Sequence, residues 1–259
     1  MGSGDRLSAS SSPRVVTPAG VDDALWRPHL EALTRRAFGE VAREIGFARG
    51  ARLLVVSAHP DDETLGGGRF IADWVRGGGG AYGVTATAGE ACFDEVGYHH
   101  PSLQETRMAE WRAALGVLGV APVGCLALPD GGVAGHLESL TDRLREIVDD
   151  VQPDVIAGTL DADPHPDHAA VGIAVRQIAD DVGIPSIEWP IWLTYFGTPP
   201  APEGMEIVEC SEHAAAARSQ AWECFDSQRR PVSCEVTAVV PPEMVESLRD
   251  QLVVRRIPA

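Results

Sequence analysis

The sequence predicts a Rossmann-like α/β fold, with a mostly parallel sheet and helices on both faces. Three observations carry this expectation. Short apolar runs of strand length recur at 53–57, 82–88, 125–128, 154–159 and 186–194. Between them the apolar residues fall three or four apart, the period of a helix packed on one face. Most runs end in Gly, Pro, Asp or Ser, which turn the chain from strand to helix. Strands alternating with helices build βαβ units and hence a parallel sheet.

Taken in order, residues 1–20 read as a disordered tail, because 1–13 are rich in Ser and Gly and lack the apolar segment of a signal peptide. Trp26, Leu30, Leu33, Ala37, Val41 and Ile45 predict one amphipathic helix over 22–47. The core of a single domain (21–259) then spans 52–195. Its first strand, 53–57, runs into Ser57-Ala58-His59-Pro60-Asp61-Asp62-Glu63-Thr64, and Phe70, Ile71, Trp74 and Val75 mark the following helix. After the strand at 82–88, Ser102 and Glu105 form a capping-box pattern. The helix they open carries Leu103, Trp111, Ala114, Leu115 and Leu118. A strand at 125–128 closes on Pro129-Asp130-Gly131-Gly132, and Leu137, Leu140, Leu144, Ile147 and Val151 give the next helix. The strand at 154–159 leads into Asp163-Pro164-His165-Pro166-Asp167-His168, followed by a helix with Val171, Ala174, Val175, Ile178 and Val182 on one face. Residues 196–259 read as less regular, with a helix at 211–225 and a strand at 234–240.

Composition narrows the function. The 259 residues carry 38 acids against 21 bases, a net charge of -17. Every base is Arg. That balance opposes nucleic acid and anionic membrane surfaces as partners, and the lack of Lys excludes Schiff-base and P-loop lysine chemistry. Five cysteines with no Cys-x-x-Cys read as reduced thiols in a cytoplasm. No stretch is long and apolar enough to span a membrane as a helix.

The two His/Asp clusters each lie where a strand gives way to a helix, the edge of an open α/β sheet at which ligands bind. His59 and Asp62 can face one point from a tight turn, and His168 completes a set of two imidazoles and one carboxylate. Three protein ligands leave a coordination position open, the pattern of a catalytic metal site. The donors suit Zn2+, with Fe2+ or another divalent ion using the same types. Asp61 is placed to act as a general base, and His165 to stabilise an oxyanion or donate a proton. Acids at a helix start also stabilise it whatever the function, but two such clusters, each ending a strand, favour the metal site. Trp189, Trp192, Tyr195 and Phe196 offer rings either for the core or for stacking on a ligand. His99 and His100 read as part of a solvated loop.

Ala58–Glu63 and His165–His168, as Ala-His-Pro-Asp-Asp-Glu and His-Pro-Asp-His, resemble the two motifs of the PIG-L/LmbE-like de-N-acetylases. The resemblance takes in Thr87-x-Gly89-Glu90, Arg107-x-x-Glu110, Leu128-Pro129-Asp130-Gly131, and Arg218 with Ser227-Gln228. It implies zinc on His59, Asp62 and His168, Asp61 as base, His165 at the oxyanion, and Arg107 and Asp130 against the sugar. The implied reaction removes an N-acetyl or N-acyl group from a small-molecule N-acetylglucosaminyl glycoside, such as a thiol-cofactor precursor or glycosylated antibiotic. Some relatives carry Tyr two residues before the first His of the second motif, where this chain has Asp163. Two alternatives are another metallohydrolase, since Asp163-x-His165-x-Asp167-His168 is similar to a metallo-β-lactamase motif, and a non-catalytic sugar-binding protein.

Overall fold

The computed structural model describes residues 14–234, 236–249 and 252–259. Eight strands form one sheet: β1 (Thr34–Ala37), β2 (Arg52–Ser57), β3 (Gly80–Thr85), β4 (Ala121–Cys125), β5 (Val155–Thr159), β6 (Ser186–Trp189), β7 (Met205–Glu209) and β8 (Leu252–Ile257), in the order β1-β7-β8-β6-β5-β2-β3-β4. All neighbours pair in parallel except β8, which runs antiparallel to both β6 and β7. A mostly parallel sheet bearing helices is the predicted fold. It sets aside the metallo-β-lactamase alternative, which is built on antiparallel sheets.

The sheet is buried on both faces, and β2 shows why. Leu53 and Val55 point into one core layer, while Leu54 and Val56 point into the other, because successive strand side chains alternate. Leu53 and Val55 meet Phe70, Ile71 and Trp74 of α3 (Gly68–Arg76) and Trp111 and Leu115 of α4 (Leu103–Leu118). Leu54 and Val56 share their layer with Leu140, Leu144 and Val148 of α5 (Leu137–Val151). Val171, Val175 and Ile178 of α6 (Pro166–Val182) complete that layer. Strands covered on both sides read as unbroken apolar runs, which is what made them visible in the sequence.

Several boundaries and two larger expectations are corrected. The helix expected over 22–47 is two helices, Asp23–Glu31 and Phe38–Glu44, with β1 between them. The apolar spacing continues across β1 by chance of register, and pairing with β7 decides the strand. The supposedly irregular 196–259 supplies β7 and β8 to the main sheet, while the helix expected at 211–225 is present as Glu212–Trp222. The strand expected at 234–240 is only an isolated bridge at Val236. The strand placed at 125–128 lies earlier, at Ala121–Cys125. Ser102 precedes α4 but its side chain makes no capping bond. Of the tail, residues 1–13 lie outside the described residues, whereas 14–20 are anchored. Thr237 N–H donates to the Arg14 carbonyl (3.0 Å), and Val16 N–H donates to Thr237 Oγ1 (3.0 Å). Among the described residues no helix is long and apolar enough to cross a membrane.

At Gly172 the helix α6 approaches the exit of β5 so closely that an added Cβ would lie 2.4 Å from the Asp161 nitrogen and 2.6 Å from the Thr159 carbonyl oxygen. Both are backbone atoms, so neither can swing aside. Gly172→Ala should cost about 1–3 kcal/mol and lower the thermal midpoint. Gly135→Ala, with nothing within 4 Å of its Cβ, should stay near wild type in the same melt.

Candidate active site

The chain order reverses between β2 and β5. From β2 it winds outward through β3 to β4, then returns to β5 on the other side of β2. The residues just past β2 and β5 therefore face each other across the switch in strand order, where open α/β sheets bind ligands.

Past β2 the backbone is forced into an unusual path. Asp61 has φ 136°, a region that side-chain-bearing residues rarely adopt. A π-helical turn, Glu63–Gly67, follows and feeds α3. Gly66 and Gly67 let this turn lie against Trp189, since a Cβ at either position would fall within 2.4 Å of the indole. Glu63, fully buried, is held by the Ser57 hydroxyl (2.8 Å), the Thr64 hydroxyl (3.0 Å) and the Trp111 indole N–H (3.2 Å). Such local strain is kept in place only where the surroundings over-determine it, and it clusters at functional sites.

Three of the expected groups meet at one point. His59 Nδ1 is 3.1 Å from His168 Nε2; the Asp62 carboxylate is 3.5 Å from His59 Nδ1 and 3.2 Å from His168 Nε2. Ligands about 2.1 Å from a tetrahedral cation lie about 3.4 Å from one another, so the three donors have the spacing of one coordination sphere. The chemistry of the set, two imidazoles and a carboxylate, suits a divalent ion. Asp62 Oδ2 also accepts from the backbone N–H groups of His59 (2.8 Å) and Ala58 (3.1 Å), which fixes its orientation.

Further acids surround this centre. Asp130 and Asp167 lie 3.1 and 3.3 Å from His59 Nε2. Asp167 holds the 129–133 loop by accepting from Gly131 N–H (2.7 Å) and Val133 N–H (3.0 Å), and Asp130 accepts from Ala91 N–H (2.7 Å). Burial opposes charge on His59, but Asp130, Asp167 and Asp62 outweigh it and hold its pKa well above the ordinary histidine value. His168 is likewise raised to about 9, against burial, by Asp62 and Asp163. The acids thus make this a point of strong attraction for positive charge.

Asp61 and His165 flank the centre. Asp61 is only 4% exposed. Burial pushes its carboxyl up to about 8, against the pull of Arg107. His165 caps α6, its Nδ1 accepting from Asp167 N–H (3.2 Å), so its Nε2 is the end left for a ligand. Its ring stacks on His168 at 4.6 Å. Burial first, then the neighbouring imidazolium charges, lower its pKa to about 4. Ring nitrogens of His59, His165 and His168 all lie within 4.8 Å of one another.

Arg107 lies beneath the site rather than across its mouth. It is 3% exposed and donates to the carbonyls of Gly89 (2.8 Å) and Pro60 (3.0 Å), with Asp61 Oδ2 at 3.4 Å. Asp130, Arg107, His59, Asp61, Asp62 and His165 all line one cleft of about 520 Å3. Of the aromatic candidates, Trp192 and Phe196 line this cleft, whereas Trp189 is core. His99 and His100 do not line it.

Sequence reasoning gave no role to Asp163. One oxygen of this buried carboxylate lies 3.0 Å from His168 Nδ1, and the other accepts from Ile191 N–H (2.8 Å) and Trp192 N–H (2.9 Å). It fixes the tilt of the His168 imidazole while anchoring the loop after β6. Only its place inside a His/Asp cluster hinted at this; its partners at 191–192 are set by the fold.

Residues 54–179 match the PIG-L family model, described as GlcNAc-PI de-N-acetylase. A 1D-myo-inositol 2-acetamido-2-deoxy-alpha-D-glucopyranoside deacetylase of Kineococcus radiotolerans is 34% identical over 139 residues, 51% of this chain and 37% of that protein. The protein of the same description from Mycobacterium sp. (strain KMS) is 38% identical over 144 residues, 45% of this chain and 46% of its own length. The aligned part thus spans less than half of either relative. The crystal structure of a deacetylase triple mutant of the teicoplanin biosynthetic pathway aligns with a TM-score of 0.63 over 81% of this chain and 99% of that one, at 20% identity. At that identity the likeness is one of fold.

Asp163→Asn should weaken divalent-metal affinity by about 10–100-fold, because a single amide oxygen cannot serve both His168 and the 191–192 backbone. Competition with a chromophoric chelator measures this, and affinity equal to wild type would remove Asp163 from the role.

Proposed function

We propose that this chain, whose residues 54–179 match the PIG-L family model, is a metal-dependent amidohydrolase that removes the N-acetyl group from a small N-acetylglucosaminyl glycoside. The observation that carries this reading is the convergence of His59, Asp62 and His168 at ligand spacing, with Asp61 and His165 lining the same cleft. Zn2+ fits the donors best. The five cysteines are unpaired, which supports a reducing, cytoplasmic setting.

A divalent cation on His59, Asp62 and His168 supplies Lewis acidity toward the amide oxygen and makes water nucleophilic near neutral pH. The chain's own residues do the rest. Asp61, its carboxyl made more basic by burial, takes the proton of the attacking water. Arg107 holds the Pro60 carbonyl and approaches the Asp61 carboxylate, which keeps the strained turn and the base in position. His165 presents Nε2 toward the cleft, where it hydrogen-bonds the oxygen that gains charge as the carbonyl carbon becomes tetrahedral. Asp61 then returns its proton to the departing amine. No acyl-enzyme forms, since water is the nucleophile. Asp130 lines the cleft beside His59 and is the sugar contact of this reading, with Arg107 acting through Asp61 and the backbone.

The adjacent carboxylates separate in a single experiment. Asp61→Asn, a residue type tolerant of positive φ, should keep its metal and lose about 10²–10⁴ in acetate release. Asp62→Asn should lose the metal as well. Elemental analysis alongside acetate release from N-acetylglucosaminyl glycosides reads both. Metal retained in Asp62→Asn but lost in Asp61→Asn would reverse the assignments. A protein that binds metal and sugar yet frees no acetate would instead be the non-catalytic sugar-binding alternative.

A further inference from the structure

The cleft is larger and less polar than an amino sugar requires. Its buried end is the His/Asp cluster. Beyond that end the lining includes Val16, Pro18, Ile191, Trp192, Phe196 and Val239, drawn from three distant parts of the chain. Trp192 and Phe196 stack at 5.2 Å with 19° between their planes, and Phe196 is 37% exposed. The exposed part of the Phe196 ring thus extends the apolar lining of the cleft toward solvent.

The wall is already held in shape. Trp192 N–H is fixed by Asp163 at 2.9 Å, and Val16 N–H by the Thr237 hydroxyl at 3.0 Å. The Thr17 hydroxyl donates to the Val239 carbonyl, and the Tyr195 hydroxyl lies 3.4 Å from the Pro18 carbonyl. A surface already in place binds without the cost of ordering it.

Its charge is equally informative. Among the described lining residues Arg107 is the one arginine, and its guanidinium is buried against Gly89, Pro60 and Asp61. Glu95 adds negative charge to the lining. A phosphate on the ligand would meet no accessible guanidinium, and a polyol would find few polar side chains beside the His/Asp cluster, chiefly Thr17, Glu95 and Gln228, with its other hydroxyls against apolar ones. Both lose hydrogen bonds they make to water.

We propose that this wall is an aglycone subsite that takes an uncharged apolar group, aryl or alkyl, attached to the amino sugar, and that it discriminates against phosphorylated and polyol glycosides. The inference rests on the de-N-acetylase reading. The amide must sit at the buried end against Asp61 and His165, so the part of the substrate leading out through the mouth is the aglycone. Trp192 and Phe196 are its specificity-determining residues.

Binding tests this apart from hydrolysis. Calorimetry on the metal-loaded Asp61→Asn protein would use the methyl, phenyl, octyl and myo-inositol glycosides of N-acetylglucosamine. Phenyl and octyl should bind about 10-fold or more tighter than methyl, the range one well-filled apolar pocket supplies, and myo-inositol no tighter than methyl. A phenyl advantage over octyl marks ring stacking; equality marks burial alone. Adding Trp192→Ala, or separately Phe196→Ala in case the first fails to fold, should shrink the apolar advantage to within about 2-fold. Myo-inositol binding as tightly as phenyl, or an advantage that survives both substitutions, overturns the subsite. Acetate release by the unsubstituted protein keeps the two readings apart. The ranking without acetate leaves the subsite standing and removes the hydrolase; acetate without the ranking does the reverse.

Discussion

The parallel pairing of β2 with β5, Leu53 to Val155 through Val56 to Gly158, positions everything that follows. Neither cluster holds a complete ligand set. His59 and Asp62 come from the turn after β2, and His168 from the first turn of α6 after β5. Because strand ends shift by whole residues when register slips, this pairing decides whether the imidazoles come within 3.1 Å or miss each other. Gly158 belongs to that constraint, since a Cβ there would lie 2.8 Å from Val175 of the covering helix.

The site is built from groups that are costly to bury, and three of its carboxylates are matched. Asp62, Asp163 and Asp167 all accept backbone N–H bonds as well as facing imidazoles. Burial alone would raise the Asp62 carboxyl; the hydrogen bonds and opposite charges of His168 and His59 keep it well below the usual carboxylate range. Asp61 differs because its main neighbours are Arg107, at 3.4 Å, and a like charge, so burial dominates and its carboxyl rises. Two adjacent aspartates therefore acquire opposite chemical characters from environment rather than identity.

Structure also joins the chemical end of the cleft to its recognition end. Asp163 touches His168 with one oxygen and the backbone beside Trp192 with the other. Asp163 thus ties the His168 imidazole to the aromatic wall. The mouth is completed by residues 16–18, which the sequence suggested were tail, and by 239–240 near the chain's other end.

What the sequence by itself determined is the class of fold and which candidate residues meet in the cleft. Local signals suffice for both: aliphatic strands buried on two faces stand out as runs, and His-Pro-Asp-Asp and His-Pro-Asp-His carry their donors within a few residues. Where the signal was non-local, reading failed. Residues 34–37 kept a helical spacing of apolar side chains yet became a strand, because β7 offered an unpaired edge. β8 enters the sheet antiparallel between two strands that precede it, which no local pattern announces. The resemblance set Arg107 against the sugar; what no local pattern announces is that it lies 3% exposed, lines the cleft and donates to carbonyls of two different loops. The tertiary structure alone decided these, and with them the shape and polarity of the cleft. Each depends on which residues far apart in the chain share a wall, and that is set by sheet order and packing, not by neighbours in sequence.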